Sequence, residues 1–164
     1  MRTLRQKVIV GGSVVALAAA FIAPQEGFKP VASHNWFDPA GVVDYGYGTT
    51  NREDPTIRVG DRITEPEARD LLAGRLASKY LPPLRRCIRN FDRMPVSRQV
   101  AFLSASYNLG DHAVCRSSMA RKINAGDVRG ACDAFRLYVR AAGRVLPGLV
   151  RRREAERKLC LQEE

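Results

Sequence analysis

Four cysteines occur in 164 residues, and no two of them form a C-x-x-C pair. That spacing is what a zinc site ordinarily uses, so its absence argues against a bound metal. Aromatic residues make up only 7% of the chain and do not cluster with the basic ones. A nucleic-acid-binding platform is therefore without support, and no nucleic-acid partner is expected. No internal repeat or low-complexity stretch is present. Carboxylates are in short supply: 17 Asp and Glu stand against 27 Lys and Arg, for a formal net charge of +10. An excess of this sign attracts polyanions, whether nucleic acid, anionic lipid or a bacterial cell wall, and charge alone does not choose among them. The basic residues are dispersed apart from one dense run, Arg151-Arg152-Arg153, which Glu154 and Glu156 follow closely. That pattern reads first as an ion-paired helix face.

What the chain does have bounds the answer. A hydrophobic content of 45% excludes disorder by composition, and the length suits one domain with a real core. An even number of cysteines in an exported protein suggests two disulfides. Cys87, Cys115, Cys132 and Cys160 allow three pairings, all open on sequence, with four buried thiols as the alternative. The favoured pairing joins Cys87 to Cys115 and Cys132 to Cys160.

The amino terminus bears on the compartment. Arg2, Arg5 and Lys7 precede 18 uncharged residues, Val8 to Gln25, the pattern of a basic flank before a membrane-directed segment. As a helix it would span about 27 Å, just short of the roughly 30 Å hydrocarbon core. Gly11, Gly12, Ser13 and five alanines make it only weakly apolar, so it reads as an anchor able to enter a bilayer and to leave it. A cleaved signal peptide, with Ala18-Ala19-Ala20 at the cleavage site and a secreted product, is the competing reading. It would leave five residues before Glu26 and remove the helix that carries it. A buried core helix is the third. The expected division is a releasable segment over 1–25 and a catalytic domain over 26–164.

Beyond Glu26-Gly27 the pattern turns irregular through Lys29-Pro30, Ser33-His34-Asn35 and Asp38-Pro39. Residues 41–48 alternate β-formers with glycine and predict a short, bent hairpin, with Gly46 and Gly48 at positive φ or a close backbone approach. Thr64-Glu65-Pro66-Glu67 is a capping box with proline in the first turn. It opens a helix carrying Leu71, Leu72, Leu76 and Tyr80, which Pro82-Pro83 is expected to stop. Further helices are predicted at 84–90, 97–108, 117–125, 128–135 and 149–161, with ends at Leu109-Gly110 and Ala125-Gly126-Asp127. The fold class is α+β, mostly helical with a small β-hairpin near its start.

Three carboxylates crowd the early region: Glu26, Asp38 and Asp44. Glycoside hydrolysis needs two carboxyl groups across the scissile bond, one protonated to meet the leaving oxygen and one ionised. Spacing alone makes this a weak signal, since acidic loop residues are usually just solvated. Several further blocks strengthen it. Glu26-Gly27, then Asp38-Pro39-Ala40-Gly41-Val42, then Gly46-Tyr47-Gly48-Thr49-Thr50 resembles the signature of phage-type lysozymes, glycoside hydrolase family 24. Tyr107-Asn108-Leu109-Gly110 resembles that family's F/Y-N-x-G helix end. Residues 146–154 resemble its G-L-x-x-R-R-x-E helix, and the stretch from Lys122 to Cys132 is similar too. The resemblance covers about residues 21 to 161.

The resemblance implies a lysozyme-like fold and hydrolysis of the β-1,4 bond between N-acetylmuramic acid and N-acetylglucosamine, with no cofactor and no metal. Glu26 takes the place of the general acid and Asp38 that of the second catalytic residue. Trp36, Tyr47 and Asn108 are candidate contacts to the glycan, although packing for Trp36 and a local hydrogen bond for Asn108 are the plainer roles. Members with a weakly apolar amino terminus are signal-arrest-release endolysins, which wait tethered in the inner membrane and act in the periplasm. The expected partners are peptidoglycan glycan strands and, through residues 8–25, the bacterial inner membrane, with the protein a monomer. The chain departs from the family in two places. Eleven residues separate Glu26 from Asp38, three more than the family's E-x8-D/C, and His34-Asn35-Trp36-Phe37 occupies the excess. Asp44 stands where the family usually has the threonine associated with the attacking water. The cysteine that replaces Asp38 in some members is absent, as is a thiol in the anchor, so activation by disulfide exchange is not expected. The competing functions are a lytic transglycosylase, a cationic membrane-disrupting protein without enzymatic activity, and a bacterial rather than phage muramidase.

Overall fold

The computed structural model describes residues 4–35 and 41–162. The chain runs α1 (Leu4–Glu26), β1 (Lys29–His34), β2 (Val43–Gly46), β3 (Thr49–Thr50), α2 (Glu65–Arg75), α3 (Leu81–Cys87), α4 (Val96–Leu109), α5 (Asp111–Cys115), α6 (Ser118–Asn124), α7 (Val128–Asp133), β4 (Arg140–Ala141), β5 (Arg144–Val145) and α8 (Pro147–Leu161). This is the expected mostly helical α+β layout. It divides into two compact units, one of Ala19–Arg75 and one of the residues up to Ala18 together with those from Leu76 onward.

The smaller unit is built on a three-stranded antiparallel sheet in the order β1-β2-β3. The hairpin β2–β3 lies where the glycine pattern predicted it. Strand β1 was expected to be irregular, and the reason it is a strand nonetheless is its pairing. Lys29 lies opposite Gly46 and Ser33 opposite Asp44, so four steps of β1 face two of β2. This bulge hides the period of two. Pro30 cannot donate to a ladder, yet its carbonyl accepts from the Ile63 N–H at 3.0 Å, and Ala32 exchanges bonds with Asp61 and Gly60 at 2.8 and 2.9 Å. Ala32, Val43 and Ile57 form a small core with Tyr45 packed against it. The capping box is in place. The backbone N–H and hydroxyl of Thr64 donate to Glu67 at 2.8 and 2.6 Å, and those bonds hold the Glu67 carboxyl below its ordinary range.

The larger unit is organised by α4, in which every residue from Arg98 to Ser106 is buried. Leu84, Ile88, Met119 and Phe135 also reach full or near-full burial, and Phe102 meets Phe135 edge-on at 5.3 Å between centroids. Pro82-Pro83 does not stop a helix, contrary to expectation. The two prolines occupy the first turn of α3, where backbone N–H groups have no intrahelical partner to lose. Leu72, Leu76 and Tyr80 are buried as predicted, while Leu71 is exposed. Helix α5 and the β4–β5 hairpin went unforeseen: both are too short for a period to show. Disulfides join Cys87 to Cys115 and Cys132 to Cys160, as favoured, each across a sequence separation of 28. A loop of that size stabilises by about 3.6 kcal/mol in the chain-entropy picture.

Helices α4 and α8 are joined by buried charge. Glu156 and Arg153 are 0% exposed and Arg152 is 8% exposed. The Glu156 carboxyl accepts from Ser104 Oγ at 2.6 Å and lies 3.3 Å from Arg152 Nε and 3.0 Å from Arg153 Nε. Burial pushes this carboxyl up from its ordinary range, against the pull of Arg153, Ser104 and Arg152. Two of the three arginines of the run, Arg152 and Arg153, thus form the ion pairs read from sequence, with their partner on their own helix. Removing one member of a buried pair leaves a charge uncompensated. Glu156→Gln is therefore expected to cost about 3 kcal/mol, read as a lower urea midpoint with an unchanged slope. An unmoved midpoint would show that α4 and α8 do not depend on the carboxylate.

Within α1, Val14, Val15, Ala18, Ala19, Ile22 and Ala23 are buried, while Ala16, Leu17 and Ala20 are exposed. Pairs recurring every four residues mark one helical face. Among the described residues no helix is long and apolar enough to cross a membrane.

Candidate active site

Helix α1 ends on Glu26, and the next residue explains why. Gly27 has φ +75° and returns its N–H to the Ala23 carbonyl at 3.2 Å. A left-handed residue at this place closes the helix and turns the chain out of it. A Cβ on Gly27 would meet nothing within 4 Å, so the backbone angle, not space, selects glycine. Glu26 is half-buried at the helix end, and β1 begins only three residues later.

Asp44 lies on the central strand, opposite Ser33 of β1 and Thr50 of β3. Its carboxylate pairs with the ammonium of Lys29, which also donates to the Ser33 carbonyl at 3.3 Å. Lys29 is displaced by two residues of β2 from Asp44 in the register, and the bulge in β1 lies between their levels. The side chain of Asp44 is 20% exposed, so this is a half-buried ion pair and not a solvated bystander. Sequence reasoning singled out Asp44 but missed Lys29. The pairing signal exists only once β1 is known to be a strand.

Gly46 shows both features predicted for it. Its φ is +61°, and an added Cβ would lie 3.1 Å from the Ala68 Cβ of α2. Gly48 has φ +80°. Tyr47, between them, is 3% exposed. Its hydroxyl donates to Glu65 at 2.9 Å, its ring meets Phe28 at 5.7 Å, and Arg69 lies over it at 5.8 Å. Burial, then the bond to Glu65, raises the Tyr47 phenol, while the Arg69 bond and then the Tyr47 bond hold Glu65 low. His34 is exposed on β1. In the larger unit, Asn108 accepts from Arg153 Nη2 at 2.7 Å. Asp38 and Trp36 lie outside the described residues.

The chain matches the family model described as phage lysozyme over residues 23–156, a span that takes in Glu26, Asp38, Asp44, Asn108 and Arg151 to Arg153. It belongs to the phage lysozyme family. Lysozymes of this family are glycoside hydrolases, and so is this chain. It is 32% identical to the SAR-endolysin of Enterobacteria phage P21 over 157 residues, covering 93% of this chain and 90% of that protein. It is 33% identical to the SAR-endolysin of Bacteriophage PS119, covering 96% and 94%. The muramidase domain of SpmX from Asticaccaulis excentricus superimposes with a TM-score of 0.78 at 27% identity, over 90% of this chain and 96% of that one. A mutant P22 lysozyme gives 0.75 at 25%, over 89% and 96%.

The two glycines separate strain from crowding. Gly27→Ala meets only an unfavourable φ and is expected to cost about 1 kcal/mol. Gly46→Ala adds contact with Ala68 and is expected to cost about 2–3 kcal/mol. Urea midpoints of the two variants check the order, and equal losses would remove the close approach as a reason for Gly46.

Proposed function

We propose that this phage lysozyme is an endolysin muramidase in which Glu26 donates the proton to the glycosidic oxygen. The scissile bond is the β-1,4 link from N-acetylmuramic acid to N-acetylglucosamine. Asp38 is the second catalytic carboxylate, and Asp44 orients the attacking water or takes a proton from it. Trp36 and Asn108 contact the glycan, and Tyr47 packs beneath the sheet surface. The observations that carry this reading are Glu26 at the end of α1, released into a turn by Gly27, and the ion-paired Asp44 on the central strand of the sheet that follows. Chemistry of this kind needs carboxyl groups in unlike surroundings, and a helix end and a sheet centre supply them. The +10 charge favours a polyanionic wall.

The reading extends to location. Residues 8–25 first tether the protein to the inner membrane of the bacterial host, and the protein acts as a monomer in the periplasm after they leave the bilayer. Relatives named SAR-endolysin support this, as does the buried stripe on α1, which gives the released segment a protein surface in exchange for lipid. Because Glu26 closes that same helix, the tethered form is expected to be inactive.

Glu26→Gln tests the assignment directly. Turnover of isolated peptidoglycan is expected to fall by about 1,000-fold with the urea midpoint little changed, and lysis at normal speed would sink Glu26 as the acid. Lys29→Met tests Asp44. Stability is expected to drop by about 1 kcal/mol or less, as for a partly exposed pair. Turnover is expected to fall by about tenfold, with Lys29→Arg retaining it. Equal turnover in all three proteins would leave Asp44 without a part in the reaction.

A further inference from the structure

Between Asp133 and Glu154 the chain has no carboxylate and six arginines. Three of the six are engaged with acids. Arg136 pairs with Glu154 at 2.8 Å, and Arg152 and Arg153 lie against Glu156. The other three, Arg140, Arg144 and Arg151, are exposed and form no ion pair among the described residues. Exposed apolar side chains are interspersed with them in the sequence. Leu137 is 68% exposed, Val145 47%, Val150 44% and Leu146 40%, half of the large hydrophobics that the described chain exposes. The exposed hairpin carries Arg140 and Val145 on one face of its ribbon and Ala141 and Arg144 on the other. Arg140 pairs with Val145 and Ala141 with Arg144 across β4–β5, Leu146 donates to the Val139 carbonyl at 3.0 Å, and Val150 donates to the Leu146 carbonyl at 3.1 Å. Every residue from Arg140 to Gly148 is exposed.

A surface that keeps branched aliphatic side chains in water beside guanidinium groups with no acidic partner, Arg140 donating only to the Gly143 carbonyl at 3.1 Å, matches one kind of partner. Aliphatic chains gain by entering a hydrocarbon boundary, and arginines gain beside phosphate headgroups. A glycan strand satisfies the charge but offers hydroxyls to the leucines and valines. A second copy of this chain would set arginine against arginine. We propose that the β4–β5 hairpin and the first turn of α8 form a peripheral docking surface for an anionic lipid bilayer. It is separate from residues 8–25 and does not depend on the hydrolytic reading of Glu26.

Full-length protein is mixed with vesicles of phosphatidylglycerol and phosphatidylethanolamine, or of phosphatidylcholine alone, and bound protein is separated by flotation. The variant with Arg140→Ser and Arg144→Ser is expected to bind anionic vesicles about tenfold or more weakly than the parent, at about fivefold per arginine. It is expected to bind neutral vesicles unchanged. Turnover of isolated peptidoglycan is expected to stay within twofold. Residues 8–25 also bind lipid, so a second measurement reads the hairpin alone. Val145→Trp adds a reporter, and brominated anionic lipids are expected to quench it beyond the signal of the parent's single tryptophan. Absence of that extra quenching overturns the proposal. So does a loss of peptidoglycan turnover in the arginine variant with vesicle binding intact, which would assign the surface to the glycan.

Discussion

The left-handed turn at Gly27 is the constraint on which the rest of the smaller unit depends. It ends α1 on Glu26 and reverses the chain so that β1 starts at Lys29. Strand β1 then pairs with β2, and Lys29 reaches Asp44. One backbone angle therefore sets both the carboxyl at the helix end and the frame of the second acidic group. A residue with a Cβ at position 27 meets no clash there, so selection acts on the turn itself. The conformational cost of about 1 kcal/mol is small against the stability of a domain, but it falls on the one joint that aims Glu26.

Lys29 and Asp44 illustrate how an acidic side chain is accommodated on a central strand. A threonine on a central strand needs only a hydrogen bond. An aspartate there, four-fifths covered, brings a charge that must be compensated or left poorly solvated. Lys29 lies on the adjacent strand and offers the opposite charge, at the modest gain typical of partly exposed pairs. The ion pair thus explains how Asp44 is tolerated. It also restricts what Asp44 can do, since one carboxylate oxygen is already engaged by the ammonium.

Much of this was legible in the sequence where a residue type has one dominant physical use. The Thr64–Glu67 capping box, the need for glycine at position 46, the helix ends at Gly110 and Gly126 and the ion-pairing of Arg152 and Arg153 follow from local chemistry, whereas the burial of the two arginines did not show. The illegible parts depend on partners distant in the chain. Strand β1 lacks a clean alternation because its bulge removes one, so its pairing is set by β2 and by residues 60–63. Pro82-Pro83 looks like a stop but sits at a start, a distinction fixed by the helix that follows it. Lys29 could not be assigned to Asp44 before β1 was known. Asp38 and Trp36, expected from the resemblance, lie outside the described residues, so of the candidate site only the placement of Glu26, Gly27 and the β2–β3 hairpin is described.

If residues 8–25 leave the bilayer as proposed, the composition of α1 answers two opposed demands. A segment that enters a bilayer must be apolar, yet one that leaves it must lose little by doing so. Its buried face from Val14 to Ala23 is three alanines, two valines and one isoleucine. Burying a large aliphatic side chain contributes about 1.5–3 kcal/mol, so Ile22 and the two valines supply most of what packing against protein can return. Alanines contribute little in either setting, and they let the helix lie close to its neighbours. The exposed side costs little in water for the same reason, since Ala16 and Ala20 accompany only one large residue, Leu17, at 53% exposure. A stripe of leucines on the opposite face would hold the segment in lipid. Under the proposed release, weak hydrophobicity paired with one buried face brings the exchange between bilayer and protein close to balance.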